Sequence, residues 1–468
     1  MASRVSQKDE SFRQYALNGP VLGVLLSSCV PLALFQALQS VFKILDALMA
    51  SHIGSGAVSA VAALSQITLM ITALGSGLAV GGSIRISAAY GRGDYEEVRR
   101  LVATVYALAV AVSLAVAAVL VPFAEPFLRL LGTPEELIAT GSGYFRVEIL
   151  TLTVNFFNTV YIAIERSRGH AKKILAMNMV VVLVKLSLTA FFVYVMEGDL
   201  VMIAGATLIG QILMLGWAVI SMRRDDGDFR FSPQNIRLDK QTLLPMLNLS
   251  YPVSAEKMLF AGGKVVVNSM SGRYGELTVG ALGISNNIGG LTTSWHMGMT
   301  DGAAPLISQN RGAGKHRRTL ELYGWLLAVN VGIGLVGLLI VSNTLPWLAQ
   351  VFAQSKNNYD AEFSAMIADI HRWEMLGYVT LGINSATVAL LLGYGYTKLT
   401  LFLNVARVFA YRVPVLWVLQ NFTDLGPEAV GITMMVSNIC VGVTAIIIAI
   451  PVVRKILRLA REEENINA

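Results

Sequence analysis

The sequence predicts an all-α polytopic membrane protein with about twelve transmembrane helices in two pseudo-symmetric six-helix lobes. Three observations predict this fold class. Apolar stretches long enough to cross a bilayer recur along all 468 residues. Only 14% of the residues are charged, whereas soluble proteins carry about 25%. Finally, motifs of the first half return in the same order in the second half.

Twelve apolar stretches supply the predicted helices. They lie near residues 21–50, 57–84, 101–124, 141–164, 174–195, 200–222, 246–272, 278–308, 320–347, 366–393, 399–420 and 427–453. The polar segments between and around them divide the chain into a tail (1–20), an N-terminal lobe (21–222), a linker (223–240), a C-terminal lobe (241–455) and a second tail (456–468). The first tail carries no cleavage signal, so we expect no removable signal peptide.

The two lobes are predicted to be copies of one six-helix unit. Pro31 lies 221 residues before Pro252, and the same offset relates Lys43 to Lys264. Beyond a short insertion the offset becomes 226, where RVEIL (146–150) matches RWEML (372–376). Because each unit has an even number of helices, the copies should run in the same direction across the membrane. Transporters built from parallel repeats bind substrate near the midplane between the halves.

The net charge of +6 reflects membrane topology rather than a nucleic-acid partner. Most lysines and arginines fall in alternate gaps between the predicted helices and in the two tails, while the other gaps hold only Arg129, Arg273 and Lys356. The positive-inside rule therefore predicts that both termini are cytoplasmic. The expected location is the cytoplasmic (inner) membrane of a prokaryote.

Four motifs on this duplicated frame resemble those of the multidrug and toxic compound extrusion (MATE) transporter family. AVGGSIRISAAYGRGDYEEVRR (79–100) is similar to the glycine-rich end of the family's second helix, and DGAAPLISQNRGAGKHRR (301–318) to the end of its eighth. ILDALMASHIGSGAVSAVAA (44–63) resembles the first-helix stretch, and NVARVFAYRVPVLWVL (404–419) the eleventh helix. The resemblance extends from about residue 20 to residue 455.

The resemblance implies two lobes arranged as a V around a central cavity. It also implies export of small organic compounds in exchange for inward movement of protons or sodium, with no other cofactor and no metal. The expected partners are a small-molecule substrate and membrane lipid, with no nucleic acid, and a monomer is expected. The sequence has no phosphate-binding loop, so the energy should come from an ion gradient or a separate subunit. We expect no enzymatic activity.

Three carboxylates are candidates for cation coupling. Asp46 and Glu256 match acids that the family uses in its first and seventh helices, and Asp301 lies between two glycines of the eighth. Charged residues near a bilayer centre each cost roughly 2.5–3.5 kcal/mol to insert, so they usually face a cavity or a partner. The structural alternatives are an ion pair at Asp46, an exposed carboxylate at Glu256, and a partner for Lys264 at Asp301.

Basic residues predict a cationic substrate cavity. In many relatives the fifth helix carries an asparagine and an aspartate, but Lys185 and Thr189 occupy those places here. This departure favours protons over sodium, or a salt bridge from Lys185 to Asp46. The predicted cavity residues are Lys43, Lys185, Lys264, Asn158, Asn384, His296, Arg407 and Tyr161. Such a cavity favours an anionic or zwitterionic substrate over a cation, unless each lysine neutralises a nearby acid, as the Lys43–Asp46 spacing permits.

Two other interpretations stay open at the level of sequence. A lipid-linked precursor flippase of the same superfamily is the alternative function, because such proteins share two six-helix lobes and basic cavities. The RVE and RWE repeats place Arg146, Glu148, Arg372 and Glu374 at the outer ends of two helices. Interfacial ion pairs are the default role for these four residues.

Overall fold

A computed structural model describes the backbone of residues 7–51, 55–130, 135–225, 227–353 and 360–467. Within these ranges the side chains of 43–51, 55–67, 130, 135–137, 139–140, 200 and 466–467 lie outside the description. The described part of the chain is helical and contains no β-strand.

Sixteen α-helices follow one another along the described ranges. Their bounds are α1 Gln7–Asn18, α2 Val21–Ser51, α3 Ser55–Arg92, α4 Tyr95–Leu120, α5 Ala124–Leu130, α6 Glu135–Ser167, α7 Ala171–Tyr194, α8 Leu200–Arg224, α9 Lys240–Ser271, α10 Glu276–Gly312, α11 His316–Ala353, α12 Ala361–Glu374, α13 Tyr378–Gly393, α14 Thr397–Ala406, α15 Val413–Phe422 and α16 Glu428–Asn467. Short 3₁₀ turns occupy Pro233–Asn235, Gly272–Tyr274 and Met375–Gly377, and a π-helical turn occupies Arg407–Arg412.

These helices confirm the predicted fold class. Ten segments of the described chain are long and apolar enough to cross a membrane. The helices α9 and α10, which are 32 and 37 residues long, occupy the places of the seventh and eighth predicted helices. In the second half, α12 and α13 together form one spanning segment, as do α14 and α15, because only a 3₁₀ turn or a π-turn separates each pair.

The chain divides into two compact units. The first unit contains Met1–Gly19 and Val41–Met258, and the second contains Pro20–Ser40 and Leu259–Ala468. The beginning of α2 therefore packs within the second unit, and the beginning of α9 packs within the first. The sequence repeat, which runs over 21–222 and 241–455, does not show this exchange.

In the first unit, glycines of α3 provide the surface against which α9 packs. A Cβ placed on Gly77 would lie 2.0 Å from Oγ of Ser254, and one on Gly81 would lie 2.2 Å from Oγ of Ser250. Small residues at such positions let membrane helices approach closely, and packing between helices supplies much of the association energy in lipid. These glycines therefore allow a close contact between α3 and α9.

The second unit repeats the same contact with different partners. Gly298 and Gly302 of α10 occupy the positions 221 residues after Gly77 and Gly81. A Cβ on Gly298 would lie 2.1 Å from Cα of Ala33, and one on Gly302 would lie 2.7 Å from Sγ of Cys29. Glycines thus form both helix crossings. At one crossing α3 packs against the beginning of α9, and at the other α10 packs against the beginning of α2.

A buried charge cluster attaches α1 to the first unit. Asp9, only 1% exposed, accepts hydrogen bonds from Arg168 at 2.8 and 3.2 Å. Arg168 also pairs with Glu165 and Asp225, and its guanidinium lies 4.7 Å from the ring centroid of Phe229. Burial alone would lower the pKa of Arg168, but the carboxylates Glu165, Asp9 and Asp225 raise it above its ordinary value. Arg168 therefore forms ion pairs with both the first tail, through Asp9, and the segment after α8, through Asp225.

The glycine contact in the second unit predicts a specific overpacking defect. Gly298→Ala should destabilise the protein by about 1–3 kcal/mol, because the added methyl meets the backbone of Ala33. Gly283→Ala is the matched control in the same helix, since nothing lies within 4 Å of its Cβ position. Thermal unfolding of the purified variants in one detergent measures both changes. Equal melting temperatures for the two variants would contradict the close crossing.

The Arg168 cluster predicts a large loss of stability when its cation is removed. Arg168→Gln leaves Asp9 buried without its main counter-charge, which typically costs about 3–5 kcal/mol. The control is Arg146→Gln, because Arg146 forms an exposed pair with Glu125 and such pairs contribute about 0–1 kcal/mol. Protease sensitivity of α1 in the native protein gives a second readout. A protected α1 in Arg168→Gln would show that other contacts hold this helix.

Candidate functional site: buried charges of the second unit

A carboxylate lies buried among the membrane helices of the second unit. Glu374, at the end of α12, is 7% exposed and accepts a hydrogen bond of 2.5 Å from Oγ of Ser285 on α10. His371 lies one helical turn earlier, with Nδ1 2.8 Å from the same Ser285 hydroxyl and 3.6 Å from Glu374. Nε2 of His371 lies 2.8 Å from the hydroxyl of Tyr378. Carboxylate, imidazole and two hydroxyls therefore form one continuous hydrogen-bonded chain.

Two arginines complete the electrostatic surroundings of Glu374. Arg407 and Arg412 both interact with its charge. Arg407 donates to Oδ1 of Asn438 at 2.7 Å, and Arg412 donates to the same atom at 3.3 Å and to Ser437 at 2.9 Å. One oxygen of Asn438 on α16 thus accepts hydrogen bonds from both guanidinium groups.

The π-turn explains how both arginines reach the same acceptor. In an α-helix, residues five apart point in different directions, because each residue turns the helix by about 100°. In a π-turn the repeat is wider, so residues five apart follow one another on the same face. Arg407 and Arg412 are the first and last residues of this turn. Such turns are frequent at functional sites.

Further polar contacts join α2, α10 and α11 in the same unit. Asp301 accepts a hydrogen bond of 3.0 Å from Gln36. About one turn further along α2, the hydroxyls of Ser40 and Ser294 lie 2.5 Å apart. His296, which is 3% exposed, places Nδ1 2.8 Å from Oδ1 of Asn330. Asp301 thus contacts α2, whereas His296 contacts α11.

The first unit holds a simpler counterpart of the Glu374 site. Glu148, the repeat equivalent of Glu374, lies within α6 and interacts electrostatically with Lys185 of α7. Asn158 of α6 donates to the side-chain and backbone oxygens of Gln211 at 2.8 and 2.9 Å. Lys185 therefore acts on the charge of an acid in its own unit. The predicted partner of Lys185, Asp46, lies outside the described side chains, as does Lys43.

The remaining sequence-predicted residues lie in different surroundings. Tyr161 is buried in the core of the first unit, with Nζ of Lys173 5.5 Å from its ring centroid. Asn384 is buried on α13. Glu256 is half-buried on α9 in the first unit, whereas Lys264, further along α9, is exposed in the second unit and lies 5.4 Å from the ring of Phe260. The roles proposed for these residues stay predictions.

The same phenyl ring links Lys264 to Arg407. The guanidinium of Arg407 lies 5.6 Å from the ring centroid of Phe260, close to the corresponding distance for Lys264. The structure therefore brings two of the predicted cavity cations to one ring. Cations at such distances from an aromatic ring are attracted to its electron-rich face.

In the repeated RVE and RWE motifs, the arginines and the acids have different surroundings. Arg146 forms an ion pair with Glu125 at 3.0 Å, and Arg372 forms one with Glu428 at 2.7 Å, both with exposed side chains. The acids Glu148 and Glu374 point instead into buried surroundings. The arginines thus match the expected interfacial pairs, but Glu374 belongs to the buried site.

Sequence reasoning missed several members of this site: Ser285, His371, Tyr378, Arg412 and Asn438. The spacing of His371 and Glu374 was the available signal, because residues three apart share a helix face. Nothing in the sequence indicated Arg412, since its position beside Arg407 depends on the π-turn.

Ten long apolar segments in the described part of the chain define a multi-pass membrane protein. The MatE family model matches residues 31–191 and 252–418, and the chain belongs to this family. A probable multidrug resistance protein of Bacillus subtilis, YoeA, is 23% identical over 85% of this chain and 86% of its own length. The multidrug export protein MepA of Staphylococcus aureus is 21% identical over 69% of this chain and 72% of its own length.

Solved transporter structures share the fold. An outward-facing multidrug resistance MATE transporter of the MOP superfamily superposes with a TM-score of 0.90, at 18% identity, over 97% of this chain and all of the other. A MOP superfamily transporter from Pyrococcus furiosus, described as having a binding pocket of reverse polarity, superposes with a TM-score of 0.89 at 18% identity. This superposition covers 97% of this chain and 99% of the Pyrococcus furiosus transporter.

The site predicts an energetic coupling between Glu374 and Arg412. Glu374→Gln and Arg412→Gln should each destabilise the protein, and the double variant should lose less than the sum, with a coupling of about 1–3 kcal/mol. A matched cycle with Arg372→Gln and Glu428→Gln tests an exposed pair, for which about 0–1 kcal/mol is expected. Thermal and denaturant unfolding in detergent measure both cycles. Strict additivity at Glu374 and Arg412 would mean that the two charges do not interact.

Proposed function

We propose that this protein is a secondary active antiporter that exports small organic compounds across the cytoplasmic membrane, driven by inward proton movement. Family membership and the names of the relatives, which are multidrug resistance and export proteins, support this class. The observation that carries the coupling proposal is the buried Glu374, which is hydrogen-bonded to Ser285 and adjacent to His371 and two arginines. Alternating access would expose this carboxylate to each side in turn.

A proton is the better candidate for the coupling ion than sodium. Sodium prefers several oxygen ligands, whereas the surroundings of Glu374 contain an imidazole and two guanidinium groups. Nearby cations oppose the binding of another metal cation at this carboxylate, and they also favour its ionised form, so they promote release of a proton that Glu374 has bound.

The charges around Glu374 favour a zwitterionic substrate. Nε of Arg407 and Nδ2 of Asn438 are buried donors with no hydrogen-bond acceptor among the described residues, so an acidic group of a ligand could satisfy them. A proton on Glu374 would strengthen the attraction of the arginines for that acidic group. Exchange also requires a group that competes with the proton, and an ammonium group can do so at the carboxylate. A zwitterion provides both groups.

The cytoplasmic placement of both termini is part of the same proposal. The basic loops and tails support it through the positive-inside rule. A monomer is proposed as the working unit, because each chain carries both repeats and all the residues named above.

Reconstituted transport tests the proposal. Protein in vesicles should move protons inward in exchange for a zwitterionic compound when a pH gradient is imposed, and a sodium gradient alone should be ineffective. Glu374→Gln should reduce gradient-driven export at least tenfold, while Arg372→Gln, on the same helix but exposed, should behave like the unmodified protein. A pH-sensitive dye and a labelled compound report the two fluxes. Export driven only by sodium would overturn proton coupling, and a strict preference for organic cations would overturn the substrate class.

A further inference from the structure

A groove lies on the outer surface of the second unit, between α11, α13 and α16. Its volume is about 530 Å³. Two of its residues, Ile446 and Ile450, are about half exposed, so the groove opens at the surface of the helix bundle. Its wall is apolar except at one end, where a tyrosine and an arginine lie. The lining includes Tyr323, Leu327, Val331, Ile383, Ile450 and Arg454.

The length of the groove matches one leaflet of a bilayer. On α11 the lining runs from Tyr323 to Val331, and on α16 from Arg454 to Ile446. Eight residues of α-helix span about 12 Å. The hydrocarbon core of a bilayer is about 30 Å thick, so one leaflet contributes about 15 Å. The groove therefore extends over most of one leaflet.

The polar end of the groove coincides with the edge of the hydrocarbon region. Arg454 is the first charged residue of α16 after the uncharged stretch 429–453. On α11 the last charged residue before the apolar stretch is Glu321, two residues from Tyr323. The hydroxyl of Tyr323 lies 3.2 Å from Oγ1 of Thr387, which fixes the ring at this level. Tyrosine and arginine at this depth are typical of the membrane interface.

Positive charge continues beyond the groove along the same helix face. Arg458 and Arg461 follow Arg454 at spacings of four and seven residues, so the three side chains share one side of α16. All three are exposed. Clustered basic residues next to a membrane helix attract anionic lipid headgroups, with about 1 kcal/mol for each residue near the surface.

We propose that this groove binds an anionic phospholipid of the leaflet at the C-terminal end of α16, which is the cytoplasmic leaflet in the topology proposed above. One acyl chain lies in the groove against Leu327, Val331 and Ile450, and the headgroup phosphate binds Arg454. Dispersion contacts along the chain give affinity for any phospholipid, whereas the arginines select a headgroup with net negative charge. The site lies on the surface of one unit and is separate from the Glu374 site.

Native mass spectrometry of the full-length protein in mild detergent tests the proposal. Dioleoyl phosphatidylglycerol and dioleoyl phosphatidylcholine are titrated separately, and the lipid-bound fraction gives an affinity for each. We expect phosphatidylglycerol to bind at least five times more tightly than phosphatidylcholine. Arg454→Gln should weaken phosphatidylglycerol binding about fivefold, the equivalent of about 1 kcal/mol, and leave phosphatidylcholine unchanged. Arg223→Gln, an exposed arginine of the first unit, should change neither affinity.

A second pair of variants tests the apolar part of the groove. Ile450→Trp should fill the groove and weaken both lipids by a similar factor, because the indole takes the volume of the acyl chain. Ile447→Trp is the matched control, since Ile447 is exposed on the same helix but does not line the groove. Equal affinities of the unmodified protein for the two lipids would overturn headgroup selection. Unchanged binding to Ile450→Trp, with a native melting temperature, would overturn the groove as the site.

Discussion

A charge buried in a bundle of membrane helices has to find its partners inside the protein. The bilayer core offers no water, and an uncompensated ion there costs several kcal/mol. Both units meet this constraint with compact networks rather than isolated pairs. In the second unit, Glu374 lies beside Ser285, His371, Arg407 and Arg412. Removing one member would leave the others without compensation, so these helices are constrained by the network as well as by packing.

The second constraint is the weak hydrophobic drive between helices in lipid. Membrane helices gain little by hiding apolar surface from lipid chains, so close packing and hydrogen bonds must hold them together. The glycine pairs of α3 and α10 allow that contact at equivalent positions of the repeat. The polar networks lie on the same helices, since α10 carries Ser285 and Asp301 as well as Gly298 and Gly302. Packing and charge compensation therefore depend on one another.

The sequence predicted the helices and the repeat. It did not predict the long-range contacts or the π-turn, for physical reasons that can be named. The apolar stretches and the repeat predicted the helices. Long-range partners were not predictable, because Asp9 and Arg168 are 159 residues apart and their pairing depends on how α1 folds back. The pairing expected between Lys185 and Asp46 stays a prediction, because the side chain of Asp46 lies outside the described residues; Lys185 acts on the charge of Glu148 in the same unit. Arg412 was hidden because residue spacing was interpreted with an α-helical period, which the π-turn does not follow.

The π-turn between α14 and α15 sets how α15 is rotated about its axis relative to α14. A π-turn accommodates one residue more than an α-turn, so an otherwise regular helix carries an insertion at Arg407–Arg412. Conversion of this segment to a regular α-turn would twist α15 about its axis by about 100° relative to α14. Arg412 would then leave its shared acceptor on α16, while Arg407 would stay. The number of guanidinium groups that bind this acceptor therefore depends on whether the segment is wound as a π-turn or as an α-turn.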